Sequence, residues 1–215
     1  MTPPRLVVFL DYQNVYKGAR ECFHDRSAPH FNGQVDPIKL GEYLAADSNP
    51  ARNLIQVRIY RGLPDAALDP KGYSASSRQN DIWRQDKRVV VKPRPLSYPR
   101  GWPKAHKPGE KPREKGIDVQ LALDFVMIAV RGEYDVGILM STDTDLKPAL
   151  EEVTRLGIAT TYPRAELAAW SAPDMHSRRL SIATAKLWCH WLDKRVYDLV
   201  RDDTDYYSDS AQRQA

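Results

Sequence analysis

Four aspartates at the ends of apolar runs are the residues of this chain best placed to do chemistry. Asp11 follows the run Arg5–Leu10 and is itself followed by Tyr12, Gln13 and Asn14. Asp143 and Asp145 lie in Ser141-Thr142-Asp143-Thr144-Asp145, directly after the run Val136–Met140. Asp118 stands in Lys115-Gly116-Ile117-Asp118, which opens an apolar segment of helical character. In an open α/β sheet, ligands bind outside the carboxyl ends of the strands, where the strand order reverses. Carboxylates converging there repel one another unless a cation neutralises them, and an all-oxygen set suits a hard divalent ion. One or two Mg²⁺ or Mn²⁺ ions would make water a nucleophile and offset the charge growing on a phosphate. The pattern points to metal-dependent cleavage of a phosphodiester. No Ser-His or Cys-His arrangement accompanies it, and the five histidines show no metal-ligand spacing.

Each aspartate also has a plain structural role open to it. Asp after a strand starts a turn by bonding its own backbone. Asp145 could cap the helix that follows, and Asp118 could be a favourable charge at a helix start. Asp124 lies six residues beyond Asp118, about 240° around a helix, so it is expected to pair with a basic residue instead of reaching the same ion.

The elements that must position these groups alternate. Strands are expected at Arg5–Leu10, Leu54–Tyr60, Arg88–Lys92, Asp135–Ser141 and Ile158–Thr161, each short and rich in Val or Ile. Helical patterns fall at Pro37–Ala46, Ser74–Lys87, Ile117–Val130 and Asp145–Leu156, with Asp36-Pro37 as a start signal and Gly157 as a stop. Alternation of this kind implies βαβ units and an α/β fold: a Rossmann-like, mainly parallel five-stranded sheet with helices on both faces. If the first and fourth strands are neighbours, Asp11 and Asp143 emerge side by side. Connectors are expected at Ala19–Val35 and Lys92–Lys115. Residues 166–201 read as a helical extension, with Trp188, Trp191, Leu192 and Leu199 on one stripe, and residues 202–215 as an acidic flexible tail.

At 215 residues the chain has the length of one domain with a real core, placed at residues 1–165. Its 42% hydrophobic and 28% charged residues are those of a globular protein, and no apolar run reaches the roughly 20 residues that cross a bilayer. Met1-Thr2-Pro3-Pro4-Arg5 passes straight into a strand, so a signal peptide is not expected, and Cys22 and Cys189 show no disulfide or zinc spacing. A cytoplasmic location and no membrane partner follow as expectations.

Net charge is +4, and its distribution is uneven. The segment Lys92–Lys115 carries eight Lys or Arg (Lys92, Arg94, Arg100, Lys104, Lys107, Lys111, Arg113, Lys115) against Glu110 and Glu114. It also holds six prolines, which forbid a regular helix or an internal strand. Tyr98 and Trp102 are interleaved with the cations, and single-stranded nucleic acid is held by stacking plus charge. Lys92, Arg94, Tyr98, Arg100, Trp102, Lys104, Lys107, Lys111 and Arg113 are therefore candidate contacts to a single strand, RNA or DNA.

Phe9-Leu10-Asp11-Tyr12-Gln13-Asn14, Lys115-Gly116-Ile117-Asp118 with Leu121-Ala122-Leu123-Asp124, and Ser141-Thr142-Asp143-Thr144-Asp145 resemble, in order and spacing, the three signatures of NYN domains. That family belongs to the PIN-like nuclease superfamily, and the likeness is to its LabA/DUF88-like bacterial branch. It spans about Arg5–Thr161. The resemblance implies a PIN-like sheet and metal-dependent ribonuclease activity on single-stranded RNA. It implies Asp11, Asp118, Asp143 and Asp145 as ligands of Mg²⁺ or Mn²⁺, Asn14, Ser141 and Thr142 as supporting groups, and Lys115 as a phosphate contact. The chain departs from the family pattern at Thr144, where Gly is frequent, and at Tyr12-Gln13, where an acidic or small residue is frequent.

Two other enzyme classes fit poorly. A phosphatase of the Asp-x-Asp type places that motif after its first strand and has Thr or Val two residues on, where Lys147 stands here. A calcium loop fails because Lys147 and Pro148 replace an oxygen ligand and the turn glycine. The non-enzymatic alternative is a nucleic-acid- or partner-binding module with a vestigial site.

Overall fold

Strand β1 (Arg5–Asp11) is buried at every position after Arg5, which requires cover on both faces and a neighbour on each edge. In the computed structural model, which describes residues 2–158, 160–173 and 178–208, it has all four. On one edge β1 pairs in parallel with β2 (Asn53–Leu63), and β2 pairs with β3 (Val89–Pro95). On the other edge it pairs with β4 (Val136–Met140), followed by β5 (Arg164–Trp170) and β6 (Cys189–Leu192). The order β3-β2-β1-β4-β5-β6 reverses direction between β1 and β4, so the switch point lies between the strands that carry Asp11 and Asp143.

Helices cover both faces. One core packs Val15 and Ala19 of α1 (Tyr12–Phe23), Leu40 and Leu44 of α2 (Pro37–Ala46), Trp83 of α3 (Pro70–Trp83), and Val196, Tyr197 and Val200 of α6 (Lys194–Val200) against the sheet. The other packs Leu121 and Phe125 of α4 (Ile117–Val130) and Leu150 and Val153 of α5 (Lys147–Leu156). Phe9, Phe125 and Tyr134 interlock edge-on at its centre, with Phe9 and Phe125 ring centroids 4.9 Å apart. The α/β architecture with its parallel sheet is the one the alternating pattern predicts.

Several elements differ from the sequence reading, each for a physical reason. The sheet has six strands, not five. Ile158–Thr161 is not a strand: Ile158 is exposed, Ala159 lies outside the described residues, and the fifth strand starts after Pro163, which has no N–H for a ladder. β5 reads Arg-Ala-Glu-Leu-Ala-Ala-Trp, a composition of helix formers, and burial from Ala165 to Trp170 overrides that propensity. Its buried Glu166 is compensated by a bidentate Arg52, at 2.7 Å through each oxygen, and by His190 at 2.9 Å.

The 166–201 extension is therefore strand, strand and one short helix, not helical throughout. Trp188 precedes β6 and Trp191 and Leu192 lie in it, so they share no helical stripe, and both tryptophans are exposed. Residues 12–23, unassigned in the sequence and running into the expected Ala19–Val35 connector, form α1, capped by Asp11. α3 starts at Pro70, behind an Asp69 cap, and ends at Trp83. Asp69-Pro70 repeats the signal of Asp36-Pro37, whose cap accepts from the N–H groups of Ile38 and Lys39. β3 continues through Pro93 and Pro95 because it is the edge strand, where a missing N–H costs no ladder bond. The tail from Asp202 to Tyr206 is tied down: Thr204 O accepts from Gln34, Tyr206 O from Arg78, and Asp205 pairs with His30 at 3.0 Å. Residues 209–215 of the expected acidic tail lie outside the described residues.

Candidate active site

At the switch point, β1 and β4 end in register, with Leu10 opposite Met140, and deliver Asp11 and Ser141 next to each other. Ser141 Oγ donates to Asp11 Oδ2 at 2.9 Å and accepts from the N–H of Asp143 at 3.0 Å. Asn14, in the first turn of α1, donates its N–H to Asp11 Oδ1 at 3.2 Å. The Asn14 side-chain oxygen accepts from the Thr142 hydroxyl at 2.8 Å and from its N–H at 3.2 Å. Ser141, Thr142 and Asn14 thus stitch the two strand ends together and hold Asp11 in one orientation.

A cleft of about 580 Å³ opens over these strand ends. Asp11, Asn14, Ser141, Thr142 and Asp143 line it together with Asp118, from the first turn of α4, and Glu114, just before that helix. Gly116 enters α4 with φ of 72°, a left-handed conformation that glycine adopts without strain and that sets Asp118 one helical step beyond the loop. Lys17 of α1, Arg113 and Arg178 supply the positive groups of the lining, and Trp170 at the end of β5 closes one wall.

The electrostatics of the cleft are those of crowded carboxylates. Asp11 caps α1 and accepts two hydrogen bonds, which favour its charged form, but burial outweighs them and the charges of Glu114 and Asp118 add to it. Its pKa is pushed up to about 6. Asp118 is raised by burial and then by the charges of Asp143 and Asp145. Glu114 is raised mainly by burial, with Asp118 adding, although the Gly62 N–H donates to it at 2.5 Å. Gly62 leaves room for that approach: a Cβ there would meet the Glu114 side chain at 2.9 Å and the end of Leu96 at 2.3 Å, so both would have to shift.

The expected site residues divide into those the cleft gathers and those it does not. Asp11, Asp118 and Asp143 line it; Asp145 does not, being exposed, with its N–H donated to Asp143 Oδ1 at 2.9 Å. It is therefore Asp143 that caps the turn Thr144–Leu146, and Asp145 acts on Asp118 only through its charge. Asp124 points elsewhere, paired with Arg58 at 2.8 Å and accepting from Tyr60 and Gln120.

Of the basic segment, only Arg113 among the proposed contacts lines the cleft. Lys92 and Arg94 lie on β3, and Arg100, Lys104, Lys107, Lys111 and Lys115 are exposed outside the lining. The loop is not structureless: Ser97 and Arg113 exchange backbone hydrogen bonds at 2.8 and 2.9 Å and pin its base. Tyr98 accepts from the Asp65 N–H, and Trp102 packs against His106 with centroids 4.4 Å apart, so its aromatics brace the loop.

Glu114, Lys17 and Arg178 belong to the cleft without having been singled out in the sequence. Glu114 was signalled by its place, four residues before Asp118 at the end of the basic run; Lys17 was hidden with the helix that carries it. Among the described residues, no group of three His, Cys, Asp or Glu side chains stands close enough to enclose an ion. The all-oxygen donors Asp11, Asp118, Asp143 and Glu114 are of the type that suits a hydrated divalent cation keeping several waters, as Mg²⁺ does.

Among solved structures, a Vibrio parahaemolyticus protein of unknown function is similar, with 19% identity and a TM-score of 0.46, over 80% of this chain and 83% of that one. No curated protein matches. The NYN domain model matches residues 5–172, from the first residue of β1 to just beyond β5. The chain belongs to the NYN domain family, whose members are generally nucleases of the PIN-like superfamily.

Proposed function

We propose that the protein is a metal-dependent ribonuclease that cuts single-stranded RNA, using Mg²⁺ or Mn²⁺. The observation that carries this reading is the gathering of Asp11, Asp118, Asp143 and Glu114 in one cleft at the switch point, with Lys17, Arg113 and Arg178 beside them. Phosphodiester hydrolysis needs positioning and charge neutralisation more than a protein nucleophile, and the cleft offers both. A bound divalent ion would supply Lewis-acid stabilisation of the phosphate and acidify an attacking water. Asp11, Asp118 and Asp143 would hold it, with Asp145 contributing through its charge on Asp118. Ser141 and Asn14 keep Asp11 from rotating away. Lys17, Arg113 and Arg178 orient the phosphate, and the exposed cations of the Lys92–Lys115 loop gather the strand.

A second reading, an RNA-binding module that no longer cuts, draws on the absence of three closely spaced ligating groups among the described residues. Incubation with a labelled single-stranded RNA in Mg²⁺, Mn²⁺ or EDTA, beside Asp11→Asn and Asp143→Asn variants, separates the two. Cleavage that needs the metal and disappears in both variants supports the nuclease. Binding without cleavage in either metal overturns it, and single-stranded DNA of the same sequence tests the choice of sugar.

A further inference from the structure

Beside the acidic cleft lies a second pocket of about 280 Å³, which shares Gln13 and Glu114 with it. Arg61 is the cation in its wall, one residue beyond Tyr60, the β2 partner of Asp11 in the parallel register. Its guanidinium donates to three neutral groups: Gln79 Oε1 at 2.7 Å, Asn80 Oδ1 at 3.3 Å and Ser76 Oγ at 3.4 Å. The rings of Tyr12 and Trp83, in edge contact with each other at 4.7 Å, both pack against it, their centroids 5.1 and 5.3 Å from its guanidinium carbon. Its Nε has no partner, and among the described residues no carboxylate forms an ion pair with it. A buried charge normally persists only when paired, because desolvation outweighs what neutral hydrogen bonds return. Held this way, Arg61 has no paired carboxylate, only the charge of Glu114 acting from across the pocket, and the pocket it lines opens next to the place where a phosphodiester would be cut. The rest of the lining mixes aromatic and polar groups, as a nucleotide site does: Tyr16, His30 and Tyr207 are in it with Gln34 and Ser76.

We propose that this pocket is a second subsite for the RNA strand, in which Arg61 binds the internal phosphate next to the scissile one. The inference rests on the nuclease reading for the path of the strand. Glu114 separates the subsites: it lines both and is held by the Gly62 N–H. Guanidinium, unlike ammonium, presents a fixed fork that can grip phosphate while it stays packed against aromatic rings. The docked tail contributes Tyr206 and Tyr207 to the pocket without giving Arg61 a carboxylate partner.

The test uses full-length protein carrying Asp11→Asn, so that the strand is not cut while binding is measured. Affinity for a labelled twelve-nucleotide oligouridylate is followed against salt, with 5′-hydroxyl and 5′-phosphate ends. Adding Arg61→Gln is expected to weaken binding about tenfold for both ends. The plot of log affinity against log salt should become shallower by about 0.7, one phosphate contact on a single strand. Arg61→Lys should keep the slope while losing part of the affinity. Gln34→Glu, isosteric and lining the same pocket, should weaken binding even if Arg61→Gln does not fold. Unchanged affinity and slope in folded Arg61→Gln and Gln34→Glu would overturn the proposal, as would a loss confined to the 5′-phosphate end. Failure of the nuclease reading shows separately, as absence of metal-dependent cleavage by the unmodified protein.

Discussion

Two neighbouring strand ends of this sheet carry buried charges of opposite sign, and neither is neutralised by an ion pair among the described residues. At the end of β1, Asp11 accepts from Asn14 and Ser141, and burial pushes its carboxyl up to about 6. Just beyond its register partner on β2, Arg61 donates to Gln79, Asn80 and Ser76, and burial pulls its guanidinium below the usual range. Elsewhere the chain pairs its buried charges: Glu166 with Arg52 and His190, Asp124 with Arg58. The contrast separates charges that hold the fold together from charges left for something outside it. A cation at the first site and a phosphate chain crossing both would supply what each lacks.

The comparison breaks most visibly if Asp11 is neutralised. Asp11→Asn is expected to lower metal-dependent RNA cleavage by at least about a hundredfold, the scale on which single electrostatic groups matter in a preorganised site. The same substitution should stabilise the metal-free protein. Because Asp11's folded-state pKa is raised from 3.8 to about 6, the folded chain holds a proton more tightly than the unfolded chain between those values. Stability therefore falls as pH rises from about 4 to about 6 and then levels off. At pH 7 Asp11→Asn should gain about 3 kcal/mol, since each tenfold difference in proton affinity between folded and unfolded chain corresponds to about 1.4 kcal/mol. At pH 4 the gain should vanish. Thermal melts at both pH values, with EDTA, check this; a loss of stability at pH 7 would show that the cap Asp11 makes outweighs the cost of its buried charge. Added Mg²⁺ should raise the melting temperature of the unmodified protein more than that of the variant.

A smaller effect is expected at Glu114, where the two subsites meet. Its negative charge is among the causes that raise Asp11, so in a Glu114→Gln background, without metal, the stability gained at pH 7 by Asp11→Asn should be smaller. The glutamine oxygen can still accept from the Gly62 N–H, so the melting temperature at pH 7 should not fall. An unchanged gain would mean that Glu114 has no part in setting the titration of Asp11.

Why some of this was legible in the sequence and some not follows from which forces chose each element. β1 and β4 announce themselves because both faces are buried, so apolar runs end abruptly at Asp11 and Ser141. The switch point follows from the alternation of elements, and with it the meeting of Asp11, Asp118 and Asp143 in one cleft. β5 was hidden because Ala, Glu and Leu favour helix locally, and β6 because Trp188, Trp191 and Leu192 fall at helical spacing; the strand form of both is imposed by the sheet edge they extend. Arg61 was hidden for another reason. Nothing local distinguishes it from Arg58, three residues earlier on the same strand, until the pairing of Arg58 with Asp124 is seen and the lack of such a partner at Arg61 beside it.

The smallest expected effect belongs to the feature most conspicuous in the sequence. Lys104, Lys107 and Lys111 are exposed on a loop whose base is pinned by Ser97 and Arg113 and whose aromatics are occupied with one another. None of the three lysines lines the cleft. Replacing all three by Ala should leave kcat unchanged and raise KM a few-fold at moderate salt, because exposed cations gather a polyanion without ordering it. If all three touch phosphates, the salt slope should become shallower by at most about 2, at about 0.7 per contact on a single strand. Arg113→Ala, which changes the one proposed loop contact in the cleft lining, should lower kcat as well as affinity. A triple variant that lost kcat while Arg113→Ala did not would reverse the ranking and move the substrate's path from the strand ends onto the loop.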